Sequence, residues 1–194
     1  MQFRPGNASL KNVWTGEQLV AAFLEPPMRH YFARKFSSLT NDELRVRIEE
    51  TLKLLFISHE CTGAIPVSKE IDEIWHAWIL QTREYAALCE RLPAQSFIHH
   101  SSNDYLSYFD PAVGELSKLT EEVKMLALYA ANFGRFDNGR TKYWLLANYL
   151  VDRRRWSVEQ LNDWLLSAVP EAILRRPSKN TTTYLVAARR GRQR

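Results

Sequence analysis

The chain has few of the residues and segments that characterise several large protein classes. Only 2 of its 194 residues are cysteine, which excludes a disulfide-stapled scaffold and favours a reducing compartment. Its 7 glycines form no phosphate-binding loop pattern. No apolar run approaches the roughly 18 residues of a membrane-spanning helix, and residues 1–11 lack the apolar stretch of a secretion signal. These absences predict a cytoplasmic protein with no membrane span.

What the sequence does contain is mainly helical periodicity. Apolar residues make up 45% of the chain and aromatic residues 12%, enough for a sizeable core in a chain of this length. Their spacing at three and four residues predicts an all-α protein, an irregular helical bundle built around a long antiparallel helical hairpin. Residues 181–188 are the one strand-like run, so a small β appendage at the C-terminus stays open.

The predicted hairpin consists of helices over residues 43–60 and 68–92. Thr40 begins a capping-box pattern before the first helix, and Ser68 is a favourable N-cap for the second. A connection of about six residues favours antiparallel packing of the two helices. The second helix is expected to bury one line of side chains, namely Ile71, Ile74, Trp75, Trp78, Thr82, Tyr85 and Cys89.

Two parts of the chain differ in composition. Residues 1–114 hold the hairpin core and a His-rich loop, and residues 115–194 form a helical subdomain with a basic tail, the two together expected to make one compact unit. Further helices are predicted over 120–133, 141–152 and 158–168. Residues 140–194 carry 12 Lys and Arg against 4 Asp and Glu, whereas residues 1–139 carry a net charge of −4.

The basic tail is a candidate site for nucleic acid or another anion, although a solvated terminal segment is the simpler interpretation. No recognition helix is evident, because the helix predicted over 158–168 contains no Lys or Arg. Attraction to phosphates would therefore be sequence-independent. The candidate residues are Arg175, Arg176, Lys179, Arg189, Arg190, Arg192 and Arg194.

The most specific local pattern lies between Ile65 and His100. Its distinctive residues are Ser68, Asp72, Trp75, His76, Ile79, Leu80, Thr82, Tyr85, Cys89 and His100. In these residues the stretch resembles the bacterial relatives of the glycine-rich domain-containing proteins, and the resemblance implies a shared fold element more than a reaction. Trp78 stands where many relatives have a second histidine, Ser101-Ser102 replaces an aromatic-proline pair, and the glycine-rich segment is missing.

Three residues of this stretch are candidate metal ligands. Asp72 and His76 lie one helical turn apart, so they could hold one cation, or Asp72 could orient the imidazole. His100 could reach His76 only if the preceding segment doubles back nearly extended. Cys89 is expected to pack in the core, and His59 to lie at the corner between the hairpin helices. Asp72, His76 and His100 are therefore the predicted ligand set for zinc or iron.

His76 also has two other interpretations. It could be a structural imidazole, bonded to Asp72 or to a loop carbonyl, that fixes the segment carrying His99 and His100. It could instead act in acid–base catalysis, which would require a second perturbed group in a cleft. Trp75 and Trp78 are expected to be core aromatics.

Three functions follow as hypotheses. The first is a non-catalytic binding or adaptor protein with a protein partner, completed by a divalent metal near His76. The second is a metal-dependent enzyme that uses Asp72, His76 and His100. The third is a nucleic-acid binder that acts through the basic C-terminal residues.

Overall fold

The computed structural model describes residues 13–61, 67–100 and 115–174, and for residues 115–118 and 168–174 only the backbone. Within these ranges it contains eight α-helices and no strand, which confirms the all-α prediction. The predicted strand-like run and the predicted basic tail residues lie outside the described residues. The helices are α1 (Gly16–Phe23), α2 (Pro26–Lys35), α3 (Asn41–Ile57), α4 (Lys69–Ile79), α5 (Thr82–Arg91), α6 (Glu115–Phe133), α7 (Leu145–Asn148) and α8 (Val158–Leu174).

Helix α3 is the centre of the fold, and it is buried on almost every side. It packs against α1, α2, α4 and α6, so that every residue from Ile48 to Leu55 is buried. Its buried apolar residues occupy several faces, since Leu54, Leu55 and Ile57 point in different directions around the helix and are each no more than 1% exposed. Charged residues within this buried stretch can no longer reach water.

The charged residues of α3 are instead paired inside the protein. Glu49 and Glu50 are 1% and 0% exposed, and Arg140 contacts both carboxylates at 2.7 and 2.9 Å. Glu50 also accepts from Lys53 Nζ at 2.8 Å and from Trp144 Nε1 at 2.8 Å. Because the two acids meet three bases, Arg45, Lys53 and Arg140, at 2.6–2.9 Å, the burial cost of each carboxylate is offset by its partners.

Arg140 bridges two acids that are adjacent in the sequence. Adjacent residues point about 100° apart on a helix, so Glu49 and Glu50 are not expected to form a carboxylate dyad. The guanidinium of Arg140 spans that angle and joins the two carboxylates from outside the helix. Glu49 also lies against Gly16, where an added Cβ would come within 2.5 Å of its carboxylate oxygen, so α1 approaches α3 closely only because residue 16 is glycine.

The predicted helix starts are mostly confirmed. The Thr40 hydroxyl accepts from Glu43 N at 3.2 Å, and the Ser68 hydroxyl accepts from Ile71 N at 3.4 Å. Such caps satisfy amide groups that the first helical turn leaves unpaired. The polar residues that precede each apolar stripe therefore located α3 and α4 correctly.

The prediction that the second helix of the hairpin is continuous over 68–92 is wrong. Helix α4 ends at Ile79, Gln81 leaves the helical conformation with φ −94° and ψ 68°, and α5 begins at Thr82. Neither glycine nor proline stands at this break. Tertiary packing therefore ends α4, because the break lets α5 bury Tyr85 and Cys89 in the core that α4 already occupies, while Thr82, expected to be buried, is exposed.

The C-terminal helices also differ from the prediction. Helix α6 begins at Glu115 rather than at 120, and α8 continues past Pro170 to Leu174. The single helix expected over 141–152 is divided into a 3₁₀ turn, the short α7 and a π-helix over Tyr149–Arg153. This division lets Tyr143 and Trp144 both face inward, where they are 1% and 3% exposed.

One apolar core includes side chains from α1 through α8. The ring of Tyr129 on α6 stacks on Phe136 with centroids 3.8 Å apart, and its hydroxyl accepts from Lys53 Nζ at 2.8 Å. Side chains on both sides of the predicted boundary at residue 114 therefore contribute to the same core.

Candidate metal centre

Helix α4 separates a buried face from an exposed one. Trp75 and Trp78 are 4% and 1% exposed, which confirms both as core aromatics. Asp72 and His76 lie four residues apart on the opposite side, where their side chains are 37% and 55% exposed. The i,i+4 spacing brings these two polar groups together at the surface.

Beyond the break between α4 and α5, the chain reverses its direction and returns to α4. After α5 ends at Arg91, the chain turns at Gln95, which adopts a left-handed φ of 48° and donates its amide to Leu92 O at 2.9 Å. Residues 97–100 then follow without helix or strand. This reversal carries His100 back toward α4.

Two hydrogen bonds, one buried and one partly buried, fix the returning segment. Trp75 Nε1 donates to the Tyr85 hydroxyl oxygen at 2.9 Å, and the Tyr85 hydroxyl donates to Ile98 O at 2.7 Å. On a continuous helix Trp75 and Tyr85 would be about 15 Å apart, so this relay exists only because the helix breaks. Burial raises the pKa of the Tyr85 hydroxyl, which keeps its proton available for Ile98.

The relay places His100 beside Asp72. His100 Nε2 lies 2.9 Å from Asp72 Oδ1, and its ring meets Trp75 edge-on with centroids 4.5 Å apart. The ring of His76 is also close, with its centroid 4.4 Å from that of His100. The three side chains each offer a ligand atom, and these atoms all lie within 4.8 Å of one another.

Hydrogen bonding determines which nitrogen of His76 is free. Its Nδ1 lies 2.9 Å from the Asp72 carbonyl oxygen and 3.2 Å from Asp72 Oδ2. Both oxygens are acceptors, so Nδ1 carries the proton and donates, and Nε2 keeps its lone pair. Asp72 thus orients both imidazoles, one through each carboxylate oxygen.

Two other predicted positions are also confirmed. Cys89 is 1% exposed and belongs to the core, and His59 lies in the 3₁₀ turn after α3, where it contacts Phe56 O and Glu60. His99 is exposed and contacts Phe97, outside the group of three ligands. The structure therefore brings together Asp72, His76 and His100 and leaves the neighbouring candidates apart.

The candidate residues for binding nucleic acid or another anion all lie outside the described residues. They are Arg175, Arg176, Lys179, Arg189, Arg190, Arg192 and Arg194.

The buried network around Glu50 is the one large ionisable cluster that sequence reasoning missed. Its signal was present, since apolar residues surround α3 on all sides and indicate a central helix. Every buried side-chain nitrogen and oxygen among the described residues has a hydrogen-bond partner, including those of this network. By contrast, the three candidate ligands Asp72, His76 and His100 lie at the surface.

No protein-family model, curated protein or solved structure matches this chain. The resemblance to the glycine-rich domain-containing proteins therefore stays a prediction. No helix in the described ranges has both the length and the apolar character needed to cross a membrane.

Proposed function

We propose that this protein is a non-catalytic binding or adaptor protein whose α4 surface holds one divalent transition-metal ion. The observation that carries the proposal is the convergence of Asp72, His76 and His100, whose ligand atoms lie within 4.8 Å of one another. Two of these residues come from one helical turn and the third returns across a gap of 24 residues. Such convergence requires the intervening chain to be folded against α4.

The distances fit a metal ion of ordinary size. Zinc binds imidazole nitrogen and carboxylate oxygen at about 2.0–2.2 Å, so two tetrahedral ligand atoms lie about 3.4 Å apart. His100 Nε2 and Asp72 Oδ1 are 2.9 Å apart, a hydrogen-bond distance that would widen by about 0.5 Å as Nε2 gives up its proton to the ion. His76, whose side chain is 55% exposed, would present its unprotonated Nε2 to the same ion.

The ligand types favour zinc or iron over calcium or magnesium. Calcium and magnesium prefer oxygen ligands, whereas imidazole suits zinc and iron. Two imidazoles and one carboxylate therefore match a transition metal. Glu73 on the same helix is directed to Arg47 at 3.3 Å, so it does not add a second carboxylate to the group.

The same geometry favours a second candidate, a metal-dependent enzyme. Three protein ligands at an exposed surface leave a coordination position open, as in catalytic zinc sites. In a binding or adaptor protein that position takes a group from a protein partner; in an enzyme it holds a reactive water. Asp72, His76 and His100 are the metal ligands in both cases.

The test is elemental analysis of untagged protein purified without chelator. We expect about one zinc or iron per chain in the wild type and a loss of most of it in H76A and H100A. H99A is the matched control, since His99 is an exposed neighbour outside the group. Metal content that is absent in the wild type, or unchanged in both variants, would reject the site.

Activity separates the two candidates. Metal-loaded and metal-stripped protein are compared on carboxylic and phosphate esters, with H100A as the variant. The adaptor proposal expects no turnover in any sample. Hydrolysis that requires both metal and His100 would overturn it in favour of the enzyme.

A further inference from the structure

A second surface, distant in sequence from the metal centre, has the composition of a small-molecule site. A cavity of about 290 Å³ opens where α1, α2 and the start of α3 meet. Its apolar wall includes Leu24, Leu44 and Ile48, each no more than 8% exposed. Concave apolar sites with a few polar groups at the rim are the usual form of ligand pockets.

The polar residues of this cavity are positive or neutral. Arg29 from α2 and Arg45 from α3 line it together with Asn41, and no acidic residue is among its lining residues. Arg45 is already engaged, since its Nη1 lies 2.6 Å from the buried Glu49 carboxylate. The side chain of Arg29, in contrast, is exposed and makes no ion pair with any described residue, which leaves its charge available.

The acids of the first turn of α3 limit the positive charge at this rim. Asn41 begins α3, but Asp42 and Glu43 follow in the same turn and offset the helix dipole, which leaves Arg29 as the available charge. A cavity with apolar walls and one available guanidinium favours an anionic head with an apolar body.

We propose that this cavity binds a free linear monocarboxylate. The cavity of about 290 Å³ is of the size of a small ligand pocket, and octanoate is the probe of this class. The carboxylate would pair with Arg29, and the alkyl chain would lie against Leu24, Leu44 and Ile48. This binding activity goes beyond the metal centre, since none of the three ligand residues lines the cavity.

The test is calorimetric titration of the full chain with octanoate, hexanoate and octanol. We expect saturable binding of one octanoate per chain. Hexanoate should bind about fifteenfold more weakly, because two fewer methylene groups are buried. Octanol, which lacks the charge, should bind at least about tenfold more weakly than octanoate.

Two pairs of variants locate the site. R29Q should weaken octanoate binding about tenfold, whereas R34Q, an exposed arginine of the same helix outside the cavity, should leave it unchanged. A33W fills the cavity from its exposed rim and should abolish binding, and A22W on exposed α1 surface is its control. Circular dichroism of each variant checks that it is folded.

Four results would overturn the proposal. A binding heat that does not saturate as octanoate is added would mean that octanoate associates non-specifically, as a surfactant does. Octanoate binding that is unchanged in R29Q and A33W would mean the same. Equal binding of octanol would mean that the charge is not recognised. A wild-type dimer in sedimentation that A33W dissociates would assign the cavity to a second copy of the chain instead.

Discussion

Replacing Tyr85 by phenylalanine removes one oxygen atom from the middle of the relay that positions His100. The hydroxyl accepts from Trp75 Nε1 at 2.9 Å and donates to Ile98 O at 2.7 Å. Tyr85 and Trp75 are 0% and 4% exposed, so water cannot replace the lost partner of the indole. The variant therefore loses both hydrogen bonds and leaves the buried Trp75 indole N–H unsatisfied.

The magnitude follows from these two losses. An unsatisfied buried donor costs about 1–3 kcal/mol, and the lost hydrogen bond to Ile98 adds about 1 kcal/mol. We expect the free energy of unfolding to fall by about 2–4 kcal/mol, measured by urea denaturation as a lower midpoint with an unchanged slope. Metal affinity should fall as well, because His100 is no longer held beside Asp72.

Y31F is the matched control for this variant. Tyr31 is half-buried, and its hydroxyl has no hydrogen-bond partner among the described residues. Its stability should change by less than about 0.5 kcal/mol. If Y85F were as stable as Y31F, the relay would not hold the returning segment, and the account of how His100 reaches Asp72 would be wrong.

Two further variants and one thiol reagent test other parts of the fold. E50Q should destabilise the protein by about 3–5 kcal/mol in urea denaturation, because it leaves Lys53 buried without its counter-charge; a loss below about 1 kcal/mol would contradict this. G16A should cost about 1–3 kcal/mol, since its Cβ would meet the fixed Glu49 carboxylate at 2.5 Å, and unchanged stability would show that Glu49 can move. Burial raises the pKa of the Cys61 thiol to about 12, so iodoacetamide should modify it at least about a hundredfold more slowly than free cysteine at pH 8; an equal rate would refute the burial.

Local signals in the sequence were sufficient for the helix starts and for the buried face of α4. A capping hydroxyl and an apolar spacing both act within one or two turns, so Ser68, Trp75 and Trp78 could be placed without knowledge of the rest of the chain. Two of the three metal ligands could also be predicted from the sequence, because Asp72 and His76 share one surface of a helix.

The parts that could not be predicted depend on contacts between distant residues. The break after Ile79 has no local cause, and it appears only once Tyr85 bonds to Trp75 and Ile98. The inward position of Glu50 likewise requires Arg140, which is 90 residues away. Both features arise from tertiary partners that override the local preference for a longer helix and for exposed charges.

The central claim is that α4 and the returning segment together form one metal site. Its most direct test is a crystal structure of the untagged protein grown with one equivalent of zinc, with anomalous data collected on both sides of the zinc absorption edge. The account predicts a single anomalous peak within about 2.2 Å of ligand atoms from Asp72, His76 and His100. A peak bound elsewhere, or none at these three residues with His100 still bonded to Asp72, would contradict it.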